Sequence, residues 1–202
     1  LDCGAFFEIL GRHSVSYFAG VPDSLLKDIC AYVTDHTAPS RHVITANEGS
    51  AVALATGHYL ATGEVPLVYM QNSGLGNTVN PLTSLTDESV YGIPMLLMIG
   101  WRGQPGVKDE PQHVKMGEVT LDLLDAVGVR HTILPTDPAE AETAVANAIS
   151  AAIADQSPHA LIVRKGTFAK YALQHSRQTI YEMSREEAIA ALLTAVPKNA
   201  LL

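Results

Sequence analysis

This 202-residue chain holds only two cysteines, one tryptophan and 13 basic residues. Cys3 and Cys30 stand far apart and fit no metal-ligand spacing such as C-x-x-C. That excludes a disulfide scaffold and is compatible with a reducing, cytoplasmic setting. Thirteen Lys and Arg against 21 Asp and Glu give a formal charge of −8. Binding of nucleic acid through bulk positive charge is therefore not expected, and any anionic ligand needs a local site. No apolar run reaches the roughly 18 to 20 residues of a membrane span, because charged residues, Pro or Gly break every candidate. The phosphate loop G-x-x-x-x-G-K-[ST], the H-E-x-x-H helix and the G-x-S-x-G elbow are all missing, and the eight histidines are scattered. Gly74-Leu75-Gly76 has Val79 where a dinucleotide fingerprint needs its third glycine. The opening Leu1-Asp2-Cys3 is neither an initiator Met nor a secretion signal, so residues are expected upstream.

What is present fits a packed domain: 47% of residues are hydrophobic and 17% charged. Six short apolar runs lack polar alternation, as strands buried on both faces of a parallel sheet do. They are 15–21, 42–45, 65–70, 94–99, 131–134 and 160–163. Helical spacing lies between them. Leu25, Leu26, Ile29, Cys30 and Val33 form a stripe behind Asp23 as an N-cap. Val145, Ala148, Ile149, Ala152 and Ile153 follow Asp137 as N-cap, with Pro138 at the first helical position. Alternation of this kind predicts an α/β fold: a doubly wound, about six-stranded, mainly parallel sheet with helices on both faces. Further on, Ser184 to Glu187 reads as a capping box opening an amphipathic helix through Ala188, Ile189, Leu192, Leu193 and Val196. A turn at 197–199 and a new strand over 200–202 are expected next. The division implied is one domain over 1–180, with 181–202 as a linker and the start of another.

Ligands of such sheets bind beyond the carboxyl ends of the strands, which directs attention to the loops 20–24, 46–49, 71–77 and 100–113. Glu48 opens a helix after the second strand. A carboxylate there is ordinary, but Asn47 and Gly49 give it little cover, so it is expected to face the crevice. The segment Gln71 to Asn77 holds two glycines and four amide or hydroxyl side chains. It is either a wall for a ligand or a tight turn with Asn77 as a cap. Asp23 is likewise an N-cap or a site wall. Trp101 to His113 reads as a long polar loop in which Arg102, Lys108 and His113 are the local cations, and His113 is either a proton-transfer group or a solvated residue.

Taken in order, GVPDS (20–24), NEGSAVALATGHYLATG (47–63), MQNSGLGN (70–77), NPLTSL (80–85), PMLLMIGWRG (94–103) and DEPQHVKMG (109–117) resemble the pyrimidine-binding domain of thiamine-diphosphate decarboxylases. Within that family they look like its phosphonopyruvate and sulfopyruvate branches. The resemblance covers essentially the whole chain. It implies a 2-oxo acid substrate with an anionic tail, and an active site completed by a diphosphate-binding domain of the same full-length chain or of a separate subunit. That partner domain would hold Mg²⁺ and the cofactor's diphosphate, and a homo-oligomer is implied. Glu48 matches the acid that hydrogen-bonds the aminopyrimidine. Asn72, Ser73, Gly74, Leu75, Gly76 and Asn77 match the loop against the cofactor. Asp23 and His113 resemble the acid and histidine near the substrate. Ser24, Arg102 and Lys108 are expected at its tail. No Gly-Asp-Gly motif for Mg²⁺ and diphosphate occurs here, so the chain alone is expected to be inactive. Two alternatives stay open: the α subunit of a sulfopyruvate decarboxylase, and a non-catalytic domain that kept the fold for binding or assembly.

Overall fold

The computed structural model describes residues 1–175 and 181–197. The strand expected over 200–202 and most of the turn before it lie outside them. In chain order the elements are α1 (Cys3–Arg12), β1 (Phe18–Gly20), α2 (Lys27–His36), β2 (His42–Ile44), α3 (Glu48–Thr62), β3 (Leu67–Gln71), α4 (Leu75–Pro81), β4 (Leu96–Gly100), α5 (Pro111–Ala126), β5 (Arg130–Ile133), α6 (Pro138–Asp155), β6 (His159–Val163) and α7 (Arg185–Ala195).

All six strands join one sheet in the order β2-β1-β3-β4-β6-β5, and every pairing is parallel. β4 and β6 are buried along their whole length, which is why their sequences read as unbroken apolar runs rather than as alternation. Successive side chains still divide between two cores. Leu67, Tyr69, Leu96, Met98, Leu161 and Val163 face α1, α2 and α6, meeting Phe6, Ile29 and Val145. Val68, Met70, Leu97, Ile99, Ala160 and Ile162 face α3 and α5, meeting Val52 and Leu124. At about 1.5 to 3 kcal/mol per fully buried large apolar side chain, these two layers dominate the stability.

Details at the strand ends depart from the sequence expectations. Asp23 does not cap α2: its Oδ2 accepts from Leu25 N at 2.9 Å, and the helix begins at Lys27 behind Leu26, with no side-chain cap. The short polar side chain closes a local turn instead and delays the helix. The 71–77 segment is a turn of 3₁₀ helix over Asn72–Gly74 running directly into α4, so Asn77 lies inside a helix rather than at its start. The polar loop after β4 is shorter than expected, because Pro111 starts α5 and His113 falls in its first turn. Asp137 caps α6 by accepting from Ala139 and Glu140 N–H. Ser184 and Glu187 form the capping box of α7. That helix buries none of its residues, and Ile189, Leu192 and Leu193 are exposed. No helix among the described residues is long and apolar enough to cross a membrane.

α1 is locked to the far end of the chain. Phe6 meets Phe168 edge-on with ring centroids 5.2 Å apart, and Ala169 N donates to Leu1 O at 2.8 Å.

Candidate functional site

The winding of the sheet reverses between β1 and β3, and the loops at their carboxyl ends open a crevice. The two strands approach closely there: a Cβ at Gly20 would lie 2.1 Å from the Tyr69 carbonyl oxygen.

Glu48 is the first residue of α3. Its position is set by Asn47, whose extended backbone and side-chain oxygen cap the helix, accepting from Gly49 N at 2.8 Å and Ser50 N at 3.3 Å. The half-buried Glu48 carboxyl reaches α4, where Asn77 Nδ2 donates to Oε2 at 2.8 Å. Oε1 has no hydrogen-bond partner among the described residues. Two glycines make this contact possible. A Cβ at Gly74 would stand 2.6 Å from both Cγ and Oε1 of Glu48, and one at Gly49 would stand 2.7 Å from the Asn77 carbonyl oxygen. The 72–77 turn therefore supplies a side-chain-free surface for the carboxyl, plus one amide to orient it.

The remaining residues of that turn divide by burial. Ser73 and Gly76 are exposed, while Leu75 and Asn72 are almost fully buried. The Asn72 side chain points into the protein: Nδ2 donates to Arg102 O and to Thr120 Oγ1, each at 2.8 Å, and Oδ1 accepts from Arg102 N at 3.2 Å. It ties the end of β3 to the end of β4 and to α5, leaving only its backbone to line the crevice.

A second cluster gathers at the end of β4. Arg102 grips Asp109 through two bonds, Nε to Oδ2 at 2.8 Å and Nη2 to Oδ1 at 2.6 Å, while Nη1 donates to Ser24 Oγ at 2.6 Å. Asp109 also accepts from Gly103 N and pairs with His113 Nδ1 at 3.0 Å. Hydrogen bonding to the guanidinium, more than any other cause, holds the Asp109 carboxyl far below the usual carboxylate range. Asp23 shows the opposite behaviour. Burial pushes its pKa up against several backbone hydrogen bonds and the charge of Arg102, and its Oδ1 is buried without a partner. Gly100 leaves room for it, since a Cβ there would meet Asp23 Oδ2 at 2.4 Å.

α5 is held against this loop by an interlock of two glycines, a Cβ at Gly117 falling 1.8 Å from the Gly103 carbonyl oxygen, and by the Trp101 Nε1 bond to Gly117 O at 2.8 Å. Ser24, Leu25, Trp101, Arg102, Asp109 and Lys165 are among the residues lining a cavity of about 170 Å³.

The structure thus gathers Glu48, Gly74 and Asn77 into one cluster. Asp23, Ser24, Arg102 and His113 fall in a second, linked to the first through Asn72. Lys108 is exposed and does not line the cavity. Sequence reasoning missed Asp109, which neutralises Arg102 and holds His113, and Lys165. The rule that directed attention to strand ends would have reached Lys165 had the loop after β6 been included. No group of three or more His, Cys, Asp or Glu among the described residues could hold a metal ion.

A carboxyl at the opening of a parallel-sheet crevice, seated on glycine and oriented by an amide, offers a fixed hydrogen-bonding group to a ligand bound there. The family model described as thiamine pyrophosphate enzyme, N-terminal TPP binding domain, matches residues 4–126, and the chain belongs to that family. Among individual proteins, it is 37% identical to a phosphonopyruvate decarboxylase of Streptomyces viridochromogenes over 162 residues, covering 80% of this chain and 40% of that one. It is 31% identical to the sulfopyruvate decarboxylase subunit alpha of Methanococcus maripaludis over 159 residues, 79% of this chain and 92% of that one. The fold matches the crystal structure of benzoylformate decarboxylase from Polynucleobacter necessarius with a TM-score of 0.61 at 18% identity, over 96% of this chain and 36% of that one.

Proposed function

We propose that the chain forms the pyrimidine-side half of a thiamine-diphosphate-dependent decarboxylase acting on a 2-oxo acid with an anionic tail. The reaction favoured is 3-phosphonopyruvate to phosphonoacetaldehyde and CO₂. The observation that carries the reading is the Glu48 carboxyl, seated against Gly74 and oriented by Asn77. The 37% identity to a phosphonopyruvate decarboxylase supports the substrate. In this reading residues 1–180 are the pyrimidine domain, and 181–202 lead toward a diphosphate-binding domain that holds Mg²⁺. The assembly is a cytoplasmic homo-oligomer.

The donor set fits the cofactor: Gly74 admits the Glu48 carboxyl where a Cβ would collide with it, Asn77 engages Oε2, and Oε1 keeps its hydrogen-bonding capacity for a ring nitrogen. When bound, thiamine diphosphate supplies an electron sink for the carbanion left by loss of CO₂. Glu48 holds the aminopyrimidine ring through a hydrogen bond, and Asn77 fixes which carboxyl oxygen makes it. Asp23, whose pKa is raised by burial, is the proton-transfer group at the substrate end of the crevice. His113 is held in place through Nδ1 by an Asp109 that stays ionised. Arg102 braces the loop rather than offering a free charge.

The sulfopyruvate reading is favoured by one observation: the chain spans 92% of a sulfopyruvate decarboxylase α subunit. In that case the partner is a separate subunit. The test is Glu48→Gln in the full-length protein supplied with thiamine diphosphate and Mg²⁺, assayed with both substrates. Loss of turnover with retained folding is expected, whereas near-wild-type turnover would remove the role given to Glu48.

A further inference from the structure

The cavity at the end of β4 contains one charge that nothing in the fold answers. Arg102 and Asp109 cancel each other through two short bonds, and the third arm of the guanidinium is occupied by Ser24. The other lining residues, apart from Lys165, are neutral. Lys165 has no hydrogen bond or ion pair through its ammonium among the described residues. The sheet brings it there: the β4–β6 pairing continues past Gly100 and Val163, with Trp101 N donating to Val163 O at 2.9 Å. The segment just beyond β6 thus lies beside Arg102. The lining residues therefore carry one net positive charge, on a wall otherwise formed by Trp101, Leu25 and Val107. Its volume of about 170 Å³ leaves room for a tetrahedral anion and the carbon that bears it.

We infer that Lys165 is the specificity-determining residue for the anionic tail of the substrate, pairing with a phosphonate or sulfonate in the cavity it lines with Ser24, Trp101 and Arg102. The inference deepens the decarboxylase reading and rests on it for the identity of the ligand. An ammonium suits this task because its three donors turn freely to meet a tetrahedral anion. Arg102, already locked, contributes a rigid wall.

The only tryptophan of the chain, Trp101, lies on the cavity wall, so its fluorescence reports binding directly. The chain is titrated with phosphonoacetate, sulfoacetate and 3,3-dimethylbutanoate, the last having an uncharged tail of the same shape. Saturable changes are expected with the first two, at least tenfold tighter than with the third. Lys165→Gln is expected to weaken binding of the two ligands with charged tails at least tenfold without moving the ligand with the uncharged tail, and Lys165→Arg to restore most of the affinity. Unaltered phosphonoacetate binding in Lys165→Gln, or no saturable change in the wild type, overturns the inference. Whichever of the two anions binds more tightly assigns the tail group. Titration of the full-length protein with thiamine diphosphate separates the two readings. If the cofactor fails to bind while Lys165-dependent anion binding persists, the decarboxylase reading falls and the anion site stands.

Discussion

Replacing Gly74 with alanine separates the position of Glu48 from the stability of the fold. Gly74 has φ −68° and ψ −16°, a conformation alanine adopts without strain. The loss of freedom in the unfolded chain therefore favours the variant by about 0.4 to 1 kcal/mol. The new methyl, however, would stand 2.6 Å from Cγ and Oε1 of Glu48 and 2.7 Å from Cδ, where carbon atoms rest at about 3.5 to 4.0 Å. Something must move by about 1 Å, and the half-buried Glu48 side chain at the crevice is freer to move than the backbone beneath Gly74. The carboxyl then leaves the place where Asn77 orients it. A displacement of about 1 Å in a positioning group is enough to cost about a hundredfold in rate. In the full-length protein, Gly74→Ala is expected to melt within a few degrees of wild type. Its affinity for thiamine diphosphate should drop at least tenfold and its turnover by about a hundredfold. Paired calorimetry and cofactor titration make the check. Wild-type affinity and turnover in a folded Gly74→Ala protein would refute the reasoning that the site depends on where the Glu48 carboxyl rests.

Asn72→Ala leaves the Arg102 C=O without its partner in a buried place and removes one bond each from Arg102 N–H, which keeps Gly100 O, and from Thr120 Oγ1, which keeps Met116 O. A loss of about 1 to 3 kcal/mol in urea denaturation is expected, the cost of one buried carbonyl left unsatisfied. Asp109→Asn breaks a pair whose side chains are only 18% and 15% exposed and should cost about 2 to 3 kcal/mol at neutral pH. Because the folded carboxyl sits far below its ordinary value, its contribution is complete above about pH 4 and is lost only as pH falls through the folded value. Wild type and variant should therefore converge only in strong acid. Asp23→Asn has the opposite sign. The folded pKa is raised by burial, so ionisation penalises the wild type as pH rises through that value. The variant should gain relative stability as pH rises above about 4, and relative destabilisation over that rise in thermal melts would contradict the burial argument.

The strands are legible in the sequence because burial on both faces leaves almost nothing but Leu, Met, Ile, Val and Ala in runs such as Leu96–Gly100 and His159–Val163, a composition that surface segments do not carry. The capping residues Asp137 and Ser184 are legible too, because one local interaction decides each of them. Asp23 and Asn77 satisfy the same local rule for a cap, yet a tertiary setting decides their use. For Asp23 that setting is the space left by Gly100, and for Asn77 it is the carboxyl of Glu48 from a different element. Asn72 and Asp109 show the limit most plainly. Each makes bonds across 30 to 48 or 6 to 7 positions of sequence, and nothing in their neighbours indicates that one turns inward and the other clasps an arginine. The fit of α7's sequence to an amphipathic helix likewise does not reveal that the helix buries nothing.

The clasp between α1 and the segment after β6 bears on how the chain is made. Phe6 and Phe168 are 162 positions apart, and at about 5 to 20 residues per second on the ribosome the second emerges roughly 8 to 32 seconds after the first. For all of that interval the apolar face of α1, with Phe6, Ile9 and Leu10, lacks the ring and the backbone donor that finally enclose it. α1 is thus secured only after the segment that follows β6 has been made. That delay places the nascent chain's need for a chaperone at α1, even though the crevice residues between 23 and 113 have already been made.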